Sequence, residues 1–260
     1  MNDFILKTKR AICADHGGYD AKLVEQFTCP AIWTGCPRCE FDARHSADPQ
    51  VRQQAVNLLD SRTTNALLMA SSVQPRFRGL GFDSYRTDFA PGEQPVVLAR
   101  CRDYAEKFDH NWEAGRSLIL LGTMGTGKTH LASAIIQAVI QSDALGGANA
   151  LYTTASDIIR SVKETFGKSG RSEAEVYADL CSYDLLVVDE VGAQHGTDFE
   201  RQVIFEVING RYGRKLPTIM ISNLSLPEVR KFIGDRVVDR LCDNGGEVLV
   251  LRWKSVRGAA

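Results

Sequence analysis

Short apolar runs alternate with amphipathic stretches along the chain from residue 96 onward. The apolar runs predict β-strands at residues 117–121, 150–153, 185–188, 218–222 and 248–251. Apolar residues at helical spacing predict helices at residues 130–141, 156–166, 173–180, 199–210 and 227–242. Nearly continuous apolar strands separated by helices are typical of an α/β fold in which a five-stranded parallel sheet lies between helices. Such sheets bind ligands beyond the carboxyl ends of their strands.

The pattern is different before residue 75. A segment rich in Cys and His, residues 13–45, precedes residues 48–71, whose apolar positions recur at helical spacing. Residues 74–82, with the sequence QPRFRGLGF, are rich in Pro, Gly and Arg, as expected of a linker or the lead-in to a domain. The sequence therefore predicts two units, a small N-terminal one over residues 1–75 and the α/β domain over residues 76–260.

Composition and charge narrow the class of protein. Hydrophobic residues make up 44% of the chain and charged residues 24%, as in a soluble globular protein. The formal net charge of −1 excludes an overall basic surface, so any contact with nucleic acid must come from a local cluster or from a channel formed on assembly. We expect a cytoplasmic protein, because no secretory signal pattern and no apolar stretch near the ~20 residues of a membrane span is present. In a reducing compartment the 7 cysteines are metal ligands or core residues rather than disulfides.

The most specific motif follows the first predicted strand, where residues 122–129 read GTMGTGKT and match the phosphate-binding pattern G-x-x-x-x-G-K-[ST]. The glycines permit turns that aim backbone N–H groups at phosphate oxygens, and the following helix adds its positive end. We expect Lys128 to reach the β- and γ-phosphates and Thr129 to bind Mg²⁺. The alternative is a glycine-rich turn without a ligand. The predicted nucleotide-binding residues are Gly122, Thr123, Met124, Gly125, Thr126, Gly127, Lys128, Thr129 and Asp189.

Two other predicted strands also end in polar side chains. The strand at 185–188 is followed by Asp189, which can bind the Mg²⁺ shell, and by Glu190, which can polarise the attacking water. The strand at 218–222 is followed by Asn223, which can hold that water against the γ-phosphate. An acidic pair can also be a solvated turn, and an Asn can simply close one. With the phosphate-binding loop, these residues favour ATP hydrolysis over nucleotide binding alone.

Residues 234–241, GDRVVDRL, place Arg236 and Arg240 four positions apart on one helix face. An arginine in this position can complete the ATP site of a neighbouring subunit. The residues alone equally allow an exposed face on which Asp235 and Asp239 are the partners of these arginines.

The order GTMGTGKTHLA, DLLVVDEVG, TIMISN, GDRVVDRL and WKSVRG resembles the bacterial DnaC-type replicative helicase loaders, a branch of the AAA+ ATPases related to the DnaA initiators. The resemblance covers roughly residues 75–257. It implies that Arg240 is the arginine finger with Arg236 as its companion, and that Arg257 is the sensor II arginine that contacts the γ-phosphate of its own subunit. It also implies a groove for single-stranded DNA, where a cation beside aromatic rings suits stacking on bases. The residues at the corresponding places are Lys163, Phe166, Thr197 and Phe199. Phe166 as a core residue and Lys163 as part of a solvated helix face remain alternatives.

The N-terminal segment is similar to that of prophage-type members of this family that carry a zinc knuckle. Cys13 and His16 form one pair at ligand spacing, and Cys36 and Cys39 form a second pair, with 19 residues between the two pairs. Two such pairs can hold one tetrahedral Zn²⁺ and stabilise a segment too small to form its own core. Cys29 and His45 are substitute ligands, and free cysteines in a small helical domain are the alternative. Outside this segment, three cysteines are expected in the core: Cys101, Cys181 and Cys242.

The family resemblance implies an ATP-dependent loader that assembles into a spiral or ring, contacts single-stranded DNA and holds a hexameric replicative helicase of the DnaB type through its N-terminal unit. A transposition helper ATPase of the IstB type, with a transposase as partner, is the nearer alternative. The other alternative is a nucleotide-gated DNA-binding module with little turnover of ATP.

Overall fold

The computed structural model describes residues 4–142, 147–167, 170–193 and 196–256. Its contacts divide the chain into two compact units, Met1–Ala70 and Ser71–Ala260. The division falls five residues before the end of the N-terminal unit expected from the sequence.

The N-terminal unit contains an antiparallel sheet in the order β1-β2-β3 and two helices. The strands are β1 Ile5–Cys13, β2 Gly17–Val24 and β3 Ile32–Trp33, and the helices are α1 Pro37–Arg44 and α2 Pro49–Ala70. The sequence pattern predicted α2 but neither the sheet nor α1. Because Cys13 pairs with Gly17 at the closed end of the β1–β2 hairpin, the turn holds His16 beside Cys13.

The larger unit contains a five-stranded parallel sheet in the order β5-β6-β7-β4-β8, so the predicted α/β fold is confirmed. The strands are β4 Leu118–Gly122, β5 Ala150–Thr154, β6 Leu185–Asp189, β7 Thr218–Ser222 and β8 Glu247–Leu251. The helices are α3 Gln94–Glu106, α4 Phe108–Ala114, α5 Lys128–Gln141, α6 Ala155–Glu164, α7 Glu173–Leu180, α8 Asp198–Gly213, α9 Leu226–Ile233 and α10 Asp235–Cys242.

The core of this unit follows from the sequence of its strands. Every residue of β6 and β7 is buried, which is why these strands read as continuous apolar runs. Alternate positions, including Ile119 in β4, Leu186 in β6 and Met220 in β7, join one apolar cluster with residues of the helices α6 to α10. This packing fixes the three strand ends that carry the polar residues of the site.

The prediction of one helix over residues 227–242 was wrong. Gly234 adopts a positive φ of 89° and separates α9 from α10. Residues with a side chain rarely adopt this backbone conformation, whereas glycine does so without steric cost. Helices α3 and α4 were not predicted. Within the residues that the structure describes, no helix has the length and apolar character needed to cross a membrane.

Candidate functional site

A cavity of about 350 Å³ lies at the carboxyl ends of β4, β6 and β7. It brings together residues from three separate motifs: Lys128 and Thr129 at the start of α5, Asp189 and Glu190 after β6, and Asn223 after β7. The rest of its lining is Arg76, Phe77, Leu80, Met124, Gly125, Gly127, His130 and Val256. The predicted ligand site at the carboxyl edge of the sheet therefore coincides with a cavity.

The loop between β4 and α5 needs glycine for two reasons. Gly125 and Gly127 have φ values of 80° and 94°, which side chains rarely adopt. A Cβ atom on Gly127 would lie 2.7 Å from the Tyr85 ring, and one on Gly125 would collide with the Ser255 hydroxyl. The loop is thus shaped both by its own backbone and by the segments that cover it.

Lys128 opens α5 and is buried. Its ammonium donates hydrogen bonds of 2.6 Å to the Gly122 carbonyl and 2.8 Å to the Thr123 carbonyl, and it lies 3.4 Å from the Thr126 hydroxyl. A cation held against the first turn of a helix suits the binding of an anionic phosphate chain.

The Thr126 carbonyl of the same loop accepts two hydrogen bonds from outside the motif. Tyr85 Oη donates one over 3.0 Å, and Trp253 Nε1 donates the other over 3.0 Å. The Val256 amide also donates to the Gly125 carbonyl over 2.9 Å. The lead-in segment and the C-terminal segment therefore hold the loop from two directions.

The Asp189 carboxylate is held by three donors. Its Oδ2 atom accepts hydrogen bonds from the Thr129 hydroxyl at 2.9 Å and from the Tyr152 hydroxyl at 2.6 Å, and its Oδ1 atom accepts one from the Glu190 amide at 2.6 Å. Thr129 and Asp189 thus form the pair that would hold Mg²⁺, since both offer oxygen ligands to a hard cation. Burial and then the charge of Asp189 raise the pKa of Tyr152, so its phenol stays protonated.

Glu190 has a positive φ of 60°, a backbone conformation that is uncommon for residues other than glycine. Strain of this kind is concentrated at functional sites. Glu190 and Asn223 are exposed at the cavity, where each can meet a bound nucleotide. His130 lines the same cavity, and burial lowers its pKa.

Arg236 is exposed on α10, whereas Arg240 is half-buried. The Arg240 guanidinium lies 5.2 Å from the centre of the Phe205 ring and 5.6 Å from that of Tyr212. Its Nη1 atom is buried and has no hydrogen-bond partner among the described residues. Two aromatic rings of α8 therefore make cation–π contacts with this guanidinium.

The alternative of an exposed face paired with Asp235 and Asp239 is wrong in its pairing, although Arg236 does lie on an exposed face. Both aspartates bind Arg230 of α9, at 3.1 and 2.9 Å. Gly234, with its positive φ, lies between α9, which carries Arg230, and α10, which carries the two aspartates. Arg257, expected to contact the γ-phosphate, lies outside the described residues.

The residues expected to contact DNA lie together in part. The Phe166 and Phe199 rings are 5.6 Å apart, and Lys163 Nζ lies 5.7 Å from the centre of Phe199. Phe166 is 66% exposed, so the alternative of a core residue is wrong for it. The Thr197 hydroxyl caps α8 by accepting a hydrogen bond from the Glu200 amide, which gives this residue a structural role.

The N-terminal unit brings four potential metal ligands together. Ligand atoms of Cys13, His16, Cys36 and Cys39 all lie within 4.8 Å of one another. The Cys13 and Cys39 sulfurs are 3.4 Å apart, and His16 Nδ1 lies 3.3 Å from Cys39 Sγ and 3.8 Å from Cys36 Sγ. Tetrahedral zinc with bonds of 2.0–2.3 Å separates its ligands by roughly 3.5–3.8 Å, so the spacing of the group fits this ion.

The ring nitrogen of His16 that faces away from the cysteines contacts a carboxylate, as is common for histidines that bind a metal. His16 Nε2 lies 3.1 Å from Asp42 Oδ2, which directs Nδ1 toward the sulfurs, as in carboxylate–histidine–metal arrangements. A hydrogen bond from the Asp15 backbone, followed by one from Cys39, lowers the pKa of Cys13 to about 6. The hydrogen bond with Cys13 raises the pKa of Cys39 to about 12.

The other cysteines and His45 lie outside this group. Cys29 is exposed, and His45 Nδ1 is 2.8 Å from the Phe41 carbonyl. Cys101 and Cys181 are buried in the larger unit, as expected of core residues, and Cys242 is half-buried.

Sequence reasoning missed the residues that support each site: Tyr85, Trp253, Tyr152, Asp42 and Phe205. None of them belongs to a sequence motif from which a chemical role could be derived. Tyr152 had a usable signal, since it lies near the end of a predicted strand. Trp253 belongs to the WKSVRG sequence, whose role the structure now explains through its bond to the loop.

The parallel sheet, the phosphate-binding loop after β4 and the acidic pair after β6 define a P-loop nucleotide-binding protein of the AAA+ class. The chain belongs to the IstB/DnaC family of ATP-binding proteins: the model of the IstB-like ATP binding proteins matches residues 83–255. The DnaC-type resemblance noted in the sequence is confirmed by this match together with the relatives described next.

Individual relatives agree with this assignment. The replicative helicase loader DnaC of Escherichia coli K12 is 35% identical over 187 residues, which cover 72% of this chain and 73% of the relative. The uncharacterized protein YdaV of the same strain is 25% identical over 253 residues, 97% of this chain and 93% of YdaV. A crystal structure of the DnaC helicase loader superimposes with a TM-score of 0.58 at 25% identity, covering 67% of this chain and 98% of that chain.

Proposed function

We propose that this protein is an ATP-dependent loader that places a hexameric replicative DNA helicase of the DnaB type on single-stranded DNA during the initiation of replication. The observation that carries this proposal is the 35% identity to the helicase loader DnaC over 187 residues. The residues that line the cavity provide an ATP site to control such a function.

The proposed chemistry assigns one role to each side chain. Lys128 and the loop amides bind the phosphates, and Thr129 with Asp189 holds Mg²⁺, which neutralises developing charge when bound. Glu190 orients and polarises the water that attacks the γ-phosphorus atom, and Asn223 positions this water. Arg240 of a neighbouring subunit, with Arg236 beside it, completes the site in a spiral or ring. Arg257 is proposed to contact the γ-phosphate in its own subunit.

Two variants test the assignment of the ATP site. Lys128→Ala removes the cation that faces the phosphates and is expected to abolish ATP binding. Glu190→Gln keeps the size of the side chain and is expected to bind ATP without hydrolysing it. Lys107→Ala is the matched control, since Lys107 pairs with Asp103 on the surface. Wild-type affinity in Lys128→Ala would refute the site.

DNA binding is proposed at Lys163, Phe166 and Phe199, with Thr197 retained as a neighbouring contact. An exposed ring next to a second ring and a cation provides a surface on which bases can stack. Phe166→Ala should weaken binding of a fluorescent oligonucleotide by about tenfold, which corresponds to the stacking of one base. An unchanged affinity would place the DNA contact elsewhere.

Zinc is proposed as a structural ion of the N-terminal unit, bound by Cys13, His16, Cys36 and Cys39. The observations that support it are the close approach of the four ligand atoms, all within 4.8 Å of one another, and the contact between His16 and Asp42. This unit is proposed to hold the helicase, so that the ATP-controlled assembly can open the helicase ring.

The decisive experiment for the loader is capture of the replicative helicase of the source cell by tagged protein. Stable capture of a hexamer with ATP, reduced with ADP or in Lys128→Ala, would support the proposal. No capture in any nucleotide state would refute it.

The IstB-like family match favours one alternative, a helper ATPase that acts with a transposase. A transposase offered in the same assay distinguishes the two functions. Steady-state hydrolysis measured with and without single-stranded DNA tests the remaining alternative, a nucleotide-gated module with little turnover.

A further inference from the structure

We infer that Tyr152 is a positioning residue of the Mg²⁺ site: its phenol fixes the orientation of the Asp189 carboxylate and thereby sets how tightly the ATP-bound protein holds Mg²⁺. This inference rests on the proposed binding of ATP and Mg²⁺ in the cavity at the sheet edge. Tyr152 belongs to none of the sequence motifs and does not line that cavity.

The sheet places Tyr152 where it can act on Asp189. It lies on β5 opposite Val187 of the adjacent strand β6, two positions before Asp189. Its ring is buried, with 5% of the residue exposed, and its hydroxyl reaches along β6 to Asp189 Oδ2 at 2.6 Å. Parallel pairing therefore lets a side chain on one strand control the residue that ends the next.

The hydrogen-bonding capacity of the carboxylate shows why the phenol matters. An ionised carboxylate accepts at about four lone-pair positions. The Thr129 and Tyr152 hydroxyls occupy the two positions on Oδ2, and the Glu190 amide occupies one on Oδ1. Rotation of the carboxylate would break these bonds, so the remaining position on Oδ1 has a fixed direction for the hydration shell of a cation.

The same arrangement prepares Thr129. Because a carboxylate only accepts, the Thr129 hydroxyl must give its proton to Asp189, and its oxygen lone pairs are left for a cation. Without the Tyr152 phenol, Oδ2 would have an open position, and the carboxylate could turn or accept water there. Thr129 would then be held less firmly.

The phenol is the donor in this contact, because a carboxylate only accepts hydrogen bonds. A Tyr152→Phe change removes this donor and keeps the ring that fills the interior. Hydrogen bonds to charged groups are among the stronger ones in proteins, so the loss should be measurable.

The test is a Mg²⁺ titration of the binding of a fluorescent ATP analogue to the full chain. In Tyr152→Phe, the Mg²⁺ concentration for half-maximal binding should rise by about tenfold, and binding in EDTA should stay within about twofold of wild type. Tyr104→Phe is the matched control, because Tyr104 is also buried and donates to the Arg116 carbonyl, outside the cavity. It should leave both values unchanged.

A second measurement separates positioning from packing. In an Asp189→Asn background, Tyr152→Phe should change the Mg²⁺ requirement by less than about twofold, because the interaction that it removes is already altered. An unchanged Mg²⁺ requirement in the single variant, or an equal loss of binding in EDTA and in Mg²⁺, would overturn the role of Tyr152 while leaving the ATP site in place. Failure of the wild-type chain to bind nucleotide would overturn the ATP site as well.

Discussion

The two units of this chain differ in what stabilises the fold of each one. The larger unit, Ser71–Ala260, which we call the ATPase unit after its family, contains a cluster of 21 buried apolar residues between its sheet and the helices α6 to α10. The described part of the N-terminal unit buries five apolar residues, Ala21, Phe27, Cys36, Leu68 and Met69. A unit of this size rarely forms a sufficient core and needs an additional constraint. The four clustered Cys and His residues would supply it if they bind the proposed zinc.

The sharpest test of this contrast is removal of one proposed zinc ligand. Structural zinc contributes on the order of 10 kcal/mol to the folding of small domains. We expect Cys39→Ser to lose one zinc per chain and to unfold the N-terminal unit, because four ligands are needed to close the site. Metal analysis and limited proteolysis measure both effects. ATP binding should persist, since the ATPase unit has its own core.

Cys29→Ser is the control for metal removal, because Cys29 is an exposed cysteine of the same unit that lies outside the cluster. It should retain the metal and resist proteolysis like wild type. Loss of zinc from this variant, or no zinc in freshly isolated wild-type protein, would contradict the proposed ligands.

The second prediction concerns the proposed action of Arg240 at the ATP site of a neighbouring subunit. Arg240→Ala should still bind ATP, because Lys128 and the loop are unchanged, but its assembly-dependent hydrolysis should fall. Arginine fingers contribute on the order of 10³–10⁵ in rate. A mixture of Arg240→Ala and Lys128→Ala should recover part of the activity, because one interface then pairs an intact loop with an intact arginine.

Arg201→Ala is the control for this experiment, since Arg201 pairs with Asp198 on the surface of α8. It should hydrolyse ATP at the wild-type rate. A mixture as inactive as its components, when both variants demonstrably co-assemble on DNA, would show that Arg240 does not act between subunits.

These two predictions differ in how far the sequence alone supports them. Local spacing identified the loop at 122–129 and the cysteine pairs, because their chemistry requires residues close together in the chain. The contact of Arg240 with Phe205 joins residues 35 positions apart through tertiary packing, and no local pattern reports it. The same holds for Tyr152 and Asp189, which meet only because β5 pairs with β6.

Secondary structure shows the same division. The central strands β4, β6 and β7 were predicted because burial on both faces leaves a continuous apolar run. The edge strands β5 and β8 are only partly buried, but each still contains a short run of mostly apolar residues. The strands β1 and β2 were missed because most of their residues are exposed and their sequence mixes Lys with Ile and Gly. The break at Gly234 was missed because an apolar pattern at helical spacing continues across it.

The third prediction compares the cores directly. Ile204→Ala in α8, where the residue is 1% exposed, should destabilise the ATPase unit by about 2–5 kcal/mol, because it removes packed methyl groups and leaves a cavity. Leu58→Ala in α2, where the residue is 46% exposed, should cost under about 1 kcal/mol. Denaturant unfolding, followed by ATP binding for one unit and by protease resistance for the other, measures both. Equal costs would contradict the contrast between the units.

The smallest predicted effect concerns the bond between the C-terminal segment and the phosphate-binding loop. Trp253→Phe keeps a ring at a buried position but removes the indole N–H that binds the Thr126 carbonyl. Because Tyr85 still binds this carbonyl, the loss should be that of one ordinary hydrogen bond, about 1 kcal/mol, and should weaken ATP binding by about fivefold.

Because Tyr85 and Trp253 both donate to the Thr126 carbonyl, removing them singly and together tests whether the loop depends on them. Removing both in Trp253→Phe with Tyr85→Phe should cost more than the sum of the single changes, because the Thr126 carbonyl would lose its two observed partners. Trp112→Phe is the control, since its indole binds Asp184 on the surface and should leave ATP affinity unchanged. Isothermal titration with ATP gives the affinities of the wild type, the two single variants, the double variant and the control. Strictly additive losses would mean that the two segments support the loop independently, and no loss in either single variant would mean that the loop keeps its shape without them.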